Sequence, residues 1–131
     1  MVKNTGMCSK GRGFTLIELL VVLAILALLL TLAVPRYFHS VDASREAVLK
    51  ENLHRVRDTL DKFRGDIGRY PESLAELVEK GYLRALPMDP MTESAGTWEV
   101  IAPPDGSEGA VYDIRSGAVG AGREGRPYRE W

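Results

Sequence analysis

The longest hydrophobic pattern in the chain is the nearly unbroken apolar run from Phe14 to Val34. Thr15, Glu18 and Thr31 are the only polar residues in these 21 positions. A helix needs about 20 apolar residues to cross the ~30 Å hydrocarbon core of a bilayer. The run therefore predicts a single membrane-spanning helix.

A second pattern follows Pro35, where apolar residues recur at alternating spacings of four and three, as on one face of a helix. This face is formed by Leu49, Leu53, Val56, Leu60, Phe63 and Ile67, and a weaker stripe before it by Tyr37, Val41, Ser44 and Val48. Charged residues at other positions predict a solvated outer face, namely Arg45, Glu46, Lys50, Glu51, Arg55, Asp58, Asp61 and Lys62. The apolar face is too short for a sustained coiled coil, so we expect it to pack on the C-terminal part of the same chain.

The two patterns join into one long helix, which is predicted from about Phe14 to Phe63. Pro35 lies inside this helix, and proline lacks the backbone N–H and clashes with the preceding turn. A kink or local melting of the helix is therefore predicted over residues 33–36. The glycines and the proline within residues 65–71 are predicted to end the helix.

The residues after the long helix predict a second, short helix over residues 73–80. Ser73 and Glu76 match a capping box at its start. Gly81 follows its last turn, where glycine commonly ends a helix.

The C-terminal third of the chain has the pattern of short β-strands. Apolar and β-branched residues predict strands over residues 97–101 and 110–115, and a Pro-Pro-Asp-Gly turn separates them. We expect these strands to form an antiparallel hairpin on the long helix, with a third short strand at residues 128–131. The predicted fold class is α+β.

Charge and cysteine content narrow the possible functions. The chain has 17 basic and 18 acidic side chains, and three of the basic ones, Lys3, Lys10 and Arg12, lie in the first 13 residues. The remainder is acidic, which argues against nucleic acid as a partner, whereas the basic tail predicts a cytoplasmic N-terminus. Cys8 is the only cysteine, so no intramolecular disulfide can form.

Glu18 distinguishes the apolar run from an ordinary targeting segment. A secretory signal peptide has a shorter apolar stretch of about 7–15 residues and a small-residue cleavage site, and no Ala-x-Ala site follows Val34. Neither a signal peptide nor an uncleaved signal anchor explains a carboxylate whose burial at the membrane centre costs about 3 kcal/mol. Alternatively, Glu18 lies at the interface and complements the helix N-terminus, which stabilises the helix by less than ~1 kcal/mol. The residues alone leave open whether Glu18 has a function within the membrane or only stabilises the start of the helix.

The residues around Gly13 resemble a known processing signal. Residues 10–13, Lys-Gly-Arg-Gly, followed by residues 14–20, Phe-Thr-Leu-Ile-Glu-Leu-Leu, are similar to the class III leader of type IV pilins and pseudopilins. The resemblance implies that prepilin peptidase cleaves between Gly13 and Phe14 on the cytoplasmic side and that Phe14 is then N-methylated. It also implies that the apolar run stays in the mature protein.

A second stretch narrows the resemblance within this family. The sequence from Arg69 to Leu83, together with Leu-Pro-Met-Asp-Pro at residues 86–90, looks like the corresponding part of major pseudopilins of the type II secretion system. The resemblance implies a non-enzymatic structural subunit of the bacterial inner membrane. Its predicted parts are a cleaved leader (1–13), a transmembrane and filament-core helix (14–34) and a periplasmic head (35–131).

The same resemblance implies that the subunits polymerise through residues 14–34 into a periplasmic pseudopilus. The implied partners are further copies of the chain, minor pseudopilins, prepilin peptidase and an inner-membrane assembly platform. In the filament, Glu18 would pair with the new amine at Phe14 of a neighbouring subunit. This pairing has a physical reason, because a buried charge that lacks its partner is strongly destabilising.

The resemblance also implies a calcium-binding loop after the second strand, where the family uses several aspartates. Residues 116–127 contain Glu124 as their only acid, with Arg123 and Arg126 nearby. Calcium takes six to eight oxygen ligands, several of them carboxylates. We therefore predict no metal and no other cofactor, and expect Tyr128, Trp131 or a neighbouring subunit to hold the loop.

The same loop contains Gly-Ala-Gly-Arg-Glu-Gly at residues 120–125, which formally matches G-x-G-x-x-G. This motif has meaning where it follows a strand and opens a helix of a βαβ unit. No such unit is predicted here, so the motif is interpreted as a turn-rich loop.

Two other functions remain as alternatives. A type IV pilin for adhesion, motility or DNA uptake often closes its C-terminal loop with a disulfide, and the chain after Gly13 has no cysteine. A membrane-anchored periplasmic binding module with an ordinary signal anchor would keep its N-terminus uncut.

Overall fold

The computed structural model describes Gly6, Gly11 and residues 13–131. Within this part of the chain, a long helix is followed by a short helix, a two-stranded antiparallel sheet and a 3-10 helix. The elements are α1 (Leu16–Ile67), α2 (Leu74–Glu79), β1 (Glu99–Ile101), β2 (Asp113–Arg115) and η1 (Tyr128–Glu130). The α+β prediction is confirmed.

Contacts divide the chain into two compact units, residues 1–38 and residues 39–131, which we call the N-terminal unit and the C-terminal unit. Helix α1 contributes to both. The predicted boundaries of the leader, the transmembrane helix and the periplasmic head stay predictions.

Helix α1 extends further than its periodicity predicted. It contains Gly65 and ends at Ile67, where Gly68 takes a φ of 86° and donates its N–H to the Arg64 carbonyl at 2.8 Å. This left-handed conformation suits glycine because it has no Cβ. The helix continues through Pro35, so the local melting over residues 33–36 is not seen, and the kink stays a prediction.

The core of the C-terminal unit is built on the predicted apolar face of α1. Leu49, Leu53, Val56, Leu60 and Phe63 are buried, and they pack with Leu77, Leu83, Trp98, Val111 and Ile114. This confirms packing within the same chain. Ile67, at the end of the helix, is exposed, and the weaker upstream stripe is not a core face, because Tyr37, Ser44 and Val48 are all exposed.

The short helix and the hairpin follow the predicted order. Ser73 is the N-cap of α2, and its hydroxyl lies 3.4 Å from the Glu76 backbone nitrogen that donates to it. β1 and β2 pair antiparallel, with Val100 opposite Ile114. Ile114 is buried and Val100 is exposed, so the β2 residue faces the core.

The predicted third strand is wrong, because the chain forms a 3-10 helix at Tyr128–Glu130. Before it, Ala121 and Pro127 form only an isolated bridge. The chain then turns back, and the Trp131 ring packs edge-on against Tyr128, with a centroid distance of 5.2 Å. Aromatic packing at the terminus therefore replaces strand pairing.

Candidate assembly site and C-terminal loop

The predicted cleavage point lies in exposed, non-helical chain. Gly13 and Phe14 are both exposed, and α1 begins at Leu16. A peptide bond in extended chain can enter a protease site more readily than one held in a helix. The basic leader residues Lys3, Lys10 and Arg12, and Cys8, lie outside the described residues.

Glu18 lies in the first turn of α1, close to Thr15. The Thr15 hydroxyl accepts a hydrogen bond from the Glu18 backbone N–H at 3.1 Å, which satisfies one of the unpaired N–H groups at the helix start. The carboxylate of Glu18 is near the positive end of the helix dipole. Among the described residues, the Glu18 carboxylate forms no ion pair.

The helix surface after Glu18 is apolar and uncovered. All residues from 13 to 38 are exposed, and Leu16, Leu28 and Leu32 are 76%, 63% and 66% exposed. By length and composition α1 is apolar enough to cross a membrane. Continuous apolar surface of this extent is typical of a segment covered by lipid or by other helices.

The C-terminal loop, residues 116–127, is held to α1 by an ion pair that the sequence did not predict. Glu46 is buried, with 7% of its surface exposed. Its carboxylate accepts the Arg123 backbone N–H at 2.8 Å and the Arg123 Nε–H at 3.2 Å. The prediction that Glu46 lies on the solvated outer face is wrong.

Burial of Glu46 disfavours the ionised form of its carboxyl, whereas its cationic partners favour it. Burial alone would raise the pKa of the Glu46 carboxyl. The two hydrogen bonds from Arg123, with the positive charges of Arg123 and Lys50, outweigh burial and hold this pKa below its usual value. The Tyr128 hydroxyl lies 3.5 Å from the same carboxylate. Burial, and then the negative charges of Glu46 and Asp42, raise the pKa of Tyr128.

A signal for Glu46 was present in the sequence. Positions 46, 49 and 53 continue the alternating spacing of the apolar face. Glu46 is therefore the polar residue in register with the buried stripe, and the register should have outweighed its charge. A buried glutamate also requires hydrogen-bond donors, and the two N–H donors of Glu46 come from Arg123, 77 residues later.

Arg57 ties β2 and the chain terminus to the same helix. Its Nε donates to the Asp113 carboxylate at 2.7 Å, and its Nη2 donates to the backbone oxygens of Ile114 and Trp131 at 3.0 and 2.7 Å. One guanidinium thus contacts the strand before the loop and the last residue after it. Planar guanidinium groups suit such multiple contacts because they present several N–H donors in a fixed plane.

The G-x-G-x-x-G sequence in the loop has a packing explanation. Gly122 is buried, and a Cβ at this position would lie 2.4 Å from a Trp131 ring atom. Its N–H donates to the Arg126 carbonyl at 2.9 Å, within the turn that brings the chain back. At least this glycine serves the close approach of the Trp131 ring.

Asp89 holds the start of the C-terminal loop through a hydrogen bond with Ser116. It is fully buried, and its carboxylate accepts the Ser116 hydroxyl and the Met91 backbone N–H. Asp89 and Pro90 begin a turn, as Asp-Pro pairs commonly do, but no local pattern indicates the contact of Asp89 with Ser116, 27 residues later.

Comparison with known proteins agrees with the resemblance seen in the sequence. Residues 8–34 match the prokaryotic N-terminal methylation motif. The chain is 34% identical to type II secretion system core protein G of Pseudomonas aeruginosa, over 88% of each chain. It is 30% identical to the protein of the same name from Klebsiella michiganensis, over 83% of this chain and 84% of the relative.

A more partial match is to the type IV major pilin protein PilA of Myxococcus xanthus. It has 32% identity, but it covers 52% of this chain and 31% of that pilin. No solved structure matches the chain significantly.

Proposed function

Because the chain belongs to the family of type II secretion system core protein G, we propose that it is a structural subunit of a periplasmic pseudopilus that drives protein export. The observation that carries this proposal is the wholly exposed apolar surface of α1 from Leu16 to Val34, with Glu18 as its one carboxylate. In a monomer this surface would meet water, which is unfavourable by about 25 cal/mol for each Å² of apolar area.

Two environments can cover the apolar surface, and we propose that the subunit uses them in succession. Before assembly, residues 14–34 cross the bacterial inner membrane, and the C-terminal unit lies in the periplasm. During assembly, the same residues leave the lipid and pack against the corresponding helices of other copies and of minor pseudopilins. An inner-membrane assembly platform is the implied site of this transfer.

Glu18 has a different role in each environment. In lipid its charge makes the membrane-inserted state less favourable. In the filament, the carboxylate would pair with the N-terminal amine of Phe14 from a neighbouring subunit, and this pairing would set the register between subunits. The Thr15–Glu18 hydrogen bond supports the proposal because it uses the backbone N–H of Glu18 and leaves the carboxylate for this partner.

Creation of the Phe14 amine requires processing. We propose that prepilin peptidase cleaves after Gly13 and that Phe14 is N-methylated, which the exposed non-helical chain at this point supports. The proposed role is structural, and assembly needs no catalytic residue of this chain. The partial match to a type IV major pilin leaves adhesion, motility or DNA uptake as the second candidate.

The experiment is complementation of a strain that lacks the gene, with two readouts. Mass spectrometry of the membrane-extracted chain should find an N-terminus at methylated Phe14, and exported proteins should return to the culture medium. An intact Met1, or a cut beyond Val34, would contradict the assembly proposal and favour an anchored binding module. Restoration of motility or DNA uptake without restored export would instead identify a type IV pilin.

A further inference from the structure

The C-terminal loop does not have the chemistry of a calcium site, although the family resemblance implies one there. Its only acid, Glu124, is exposed, and Arg123 and Arg126 flank it. The described part of the chain contains no cluster of three or more acidic, histidine or cysteine side chains that could hold a metal ion. A calcium ion would also meet the positive charges of two arginines, which oppose its binding.

The buried carboxylate that contacts the middle of the loop, Glu46, already has a cationic partner. Glu46, from α1, accepts two hydrogen bonds from Arg123. The Glu46 side chain is 9% exposed and that of Arg123 is 48% exposed, so the carboxylate is inside the protein while the guanidinium partly faces solvent. A buried carboxylate needs both a compensating charge and hydrogen-bond donors, and a single loop residue supplies both.

Further cationic contacts secure the end of the chain. The Arg57 guanidinium donates to a backbone oxygen of Trp131 and to two acceptors on β2. The Lys50 Nζ lies 4.9 Å from the centroid of the Trp131 ring, a distance at which an ammonium is attracted to an aromatic face. Arg57 and Lys50 therefore join Trp131 to α1, as Arg123 joins the C-terminal loop to the same helix.

We propose that Arg123, supported by Arg57, closes the C-terminal loop in place of a metal ion, so that the C-terminal unit folds independently of calcium. The positive charge that compensates Glu46 is covalently part of the chain. Its local concentration is constant, and stability does not depend on a free cation as it does for a bound ligand. The close fit of Gly122 against Trp131 then follows from the closed loop.

The primary test uses the full chain in detergent micelles and needs no variant. Thermal unfolding is followed by the near-ultraviolet circular dichroism of Trp98 and Trp131, in millimolar calcium chloride and in an excess of a calcium chelator. The proposal expects the same unfolding midpoint in both. A midpoint that rises with calcium, or falls with chelator, would overturn it.

A set of variants then tests whether the ion pair closes the loop. Glu46→Gln should lower the midpoint by about 5 °C in both buffers, whereas Glu51→Gln, an exposed glutamate on the same helix, should leave it unchanged. Arg123→Gln should lower the midpoint, and Arg123→Lys, which keeps the charge and the backbone N–H, should lower it less. Equal effects of Glu46→Gln and Glu51→Gln would contradict the proposal.

Limited trypsin digestion gives a local readout that a general loss of stability does not mimic. Well below the midpoint, Glu46→Gln should be cut several-fold faster after Arg123 than the native chain, while cuts at other sites keep their rates. Protection of the Arg123 site by calcium in the native chain would overturn the proposal. The double variant Glu46→Gln/Arg123→Gln should lose less stability than the sum of the losses of the two single variants. The reason is that each single variant already removes the same Glu46–Arg123 ion pair.

Discussion

The two units of the chain share one helix but use apolar residues in opposite ways. Leu28 in the N-terminal unit is 63% exposed, whereas Leu53 in the C-terminal unit is 2% exposed. The C-terminal unit covers the apolar face of α1 with residues from α2, the hairpin and the connecting loops. Within the described part of the N-terminal unit, no residue is buried.

This difference teaches that the two units become stable by different means. The C-terminal unit is complete within one chain, because its apolar stripe is narrow and meets a matching surface. The N-terminal unit is apolar all round its helix, which is typical of a helix buried in a membrane or among other helices. We therefore expect this apolar surface to be covered from outside the chain. The following predictions distinguish the two units by the effects of substitutions in each.

The largest effect is expected from Glu18→Ala. If Glu18 pairs with Phe14 as proposed, removal of the carboxylate would leave the Phe14 amine unpaired in an apolar filament core and destabilise assembly by several kcal/mol, on the order of 3–5. We expect cleavage after Gly13 to continue, filaments to be absent by electron microscopy, and the unfolding midpoint of the C-terminal unit to be unchanged. Glu51→Ala serves as the control, and normal filaments from Glu18→Ala would refute the charge pairing.

The next effect compares two leucines of the same helix. Leu53→Ala should lower the unfolding free energy of the C-terminal unit by about 2–5 kcal/mol, because it opens a cavity in a packed core. Leu28→Ala should change it by less than about 0.5 kcal/mol, as an exposed substitution does, while it weakens assembly. Denaturant titration followed by tryptophan fluorescence measures both, and similar losses from the two variants would contradict the division into units.

The smallest effect is a pH dependence confined to the C-terminal unit. Hydrogen bonds from Arg69, at 2.6 and 3.2 Å, and from the Glu72 backbone N–H, at 2.7 Å, lower the pKa of Glu76 from 4.5 to about 2. Because this pKa is lower in the folded state, its stabilisation is complete above about pH 4.5 and is lost as the pH falls toward about 2.

Glu76→Gln tests this pH dependence. The matched control is Glu79→Gln, which changes an exposed glutamate of the same helix. Glu76→Gln should be less stable than the native chain at neutral pH, and the difference between them should shrink between about pH 4.5 and pH 2. Glu79→Gln should follow the native profile. A pH-independent difference between Glu76→Gln and the native chain would show that the ionised carboxylate is not what stabilises α2.

Much of the fold could be predicted because its signals are local. The alternating spacing from Leu49 to Phe63 identified the buried face, and Ser73 identified the start of α2. The predicted strands were correct in order but too long, since only Glu99–Ile101 and Asp113–Arg115 pair. The error at the C-terminus arose because aromatic residues such as Tyr128 favour strands in general, whereas here the ring packs against Trp131.

The sequence by itself determined the apolar run, the processing motif around Gly13 and the helical register, because each depends on residues next to one another or one turn apart. Only the tertiary structure decided that the partner of Glu46 is Arg123, 77 residues later, and that Arg57 reaches Trp131, 74 residues later. The sequence alone does not identify the partner of a buried charge, yet the free energy of burying that charge depends on the donors that surround it. Those donors are brought together only when the chain has folded.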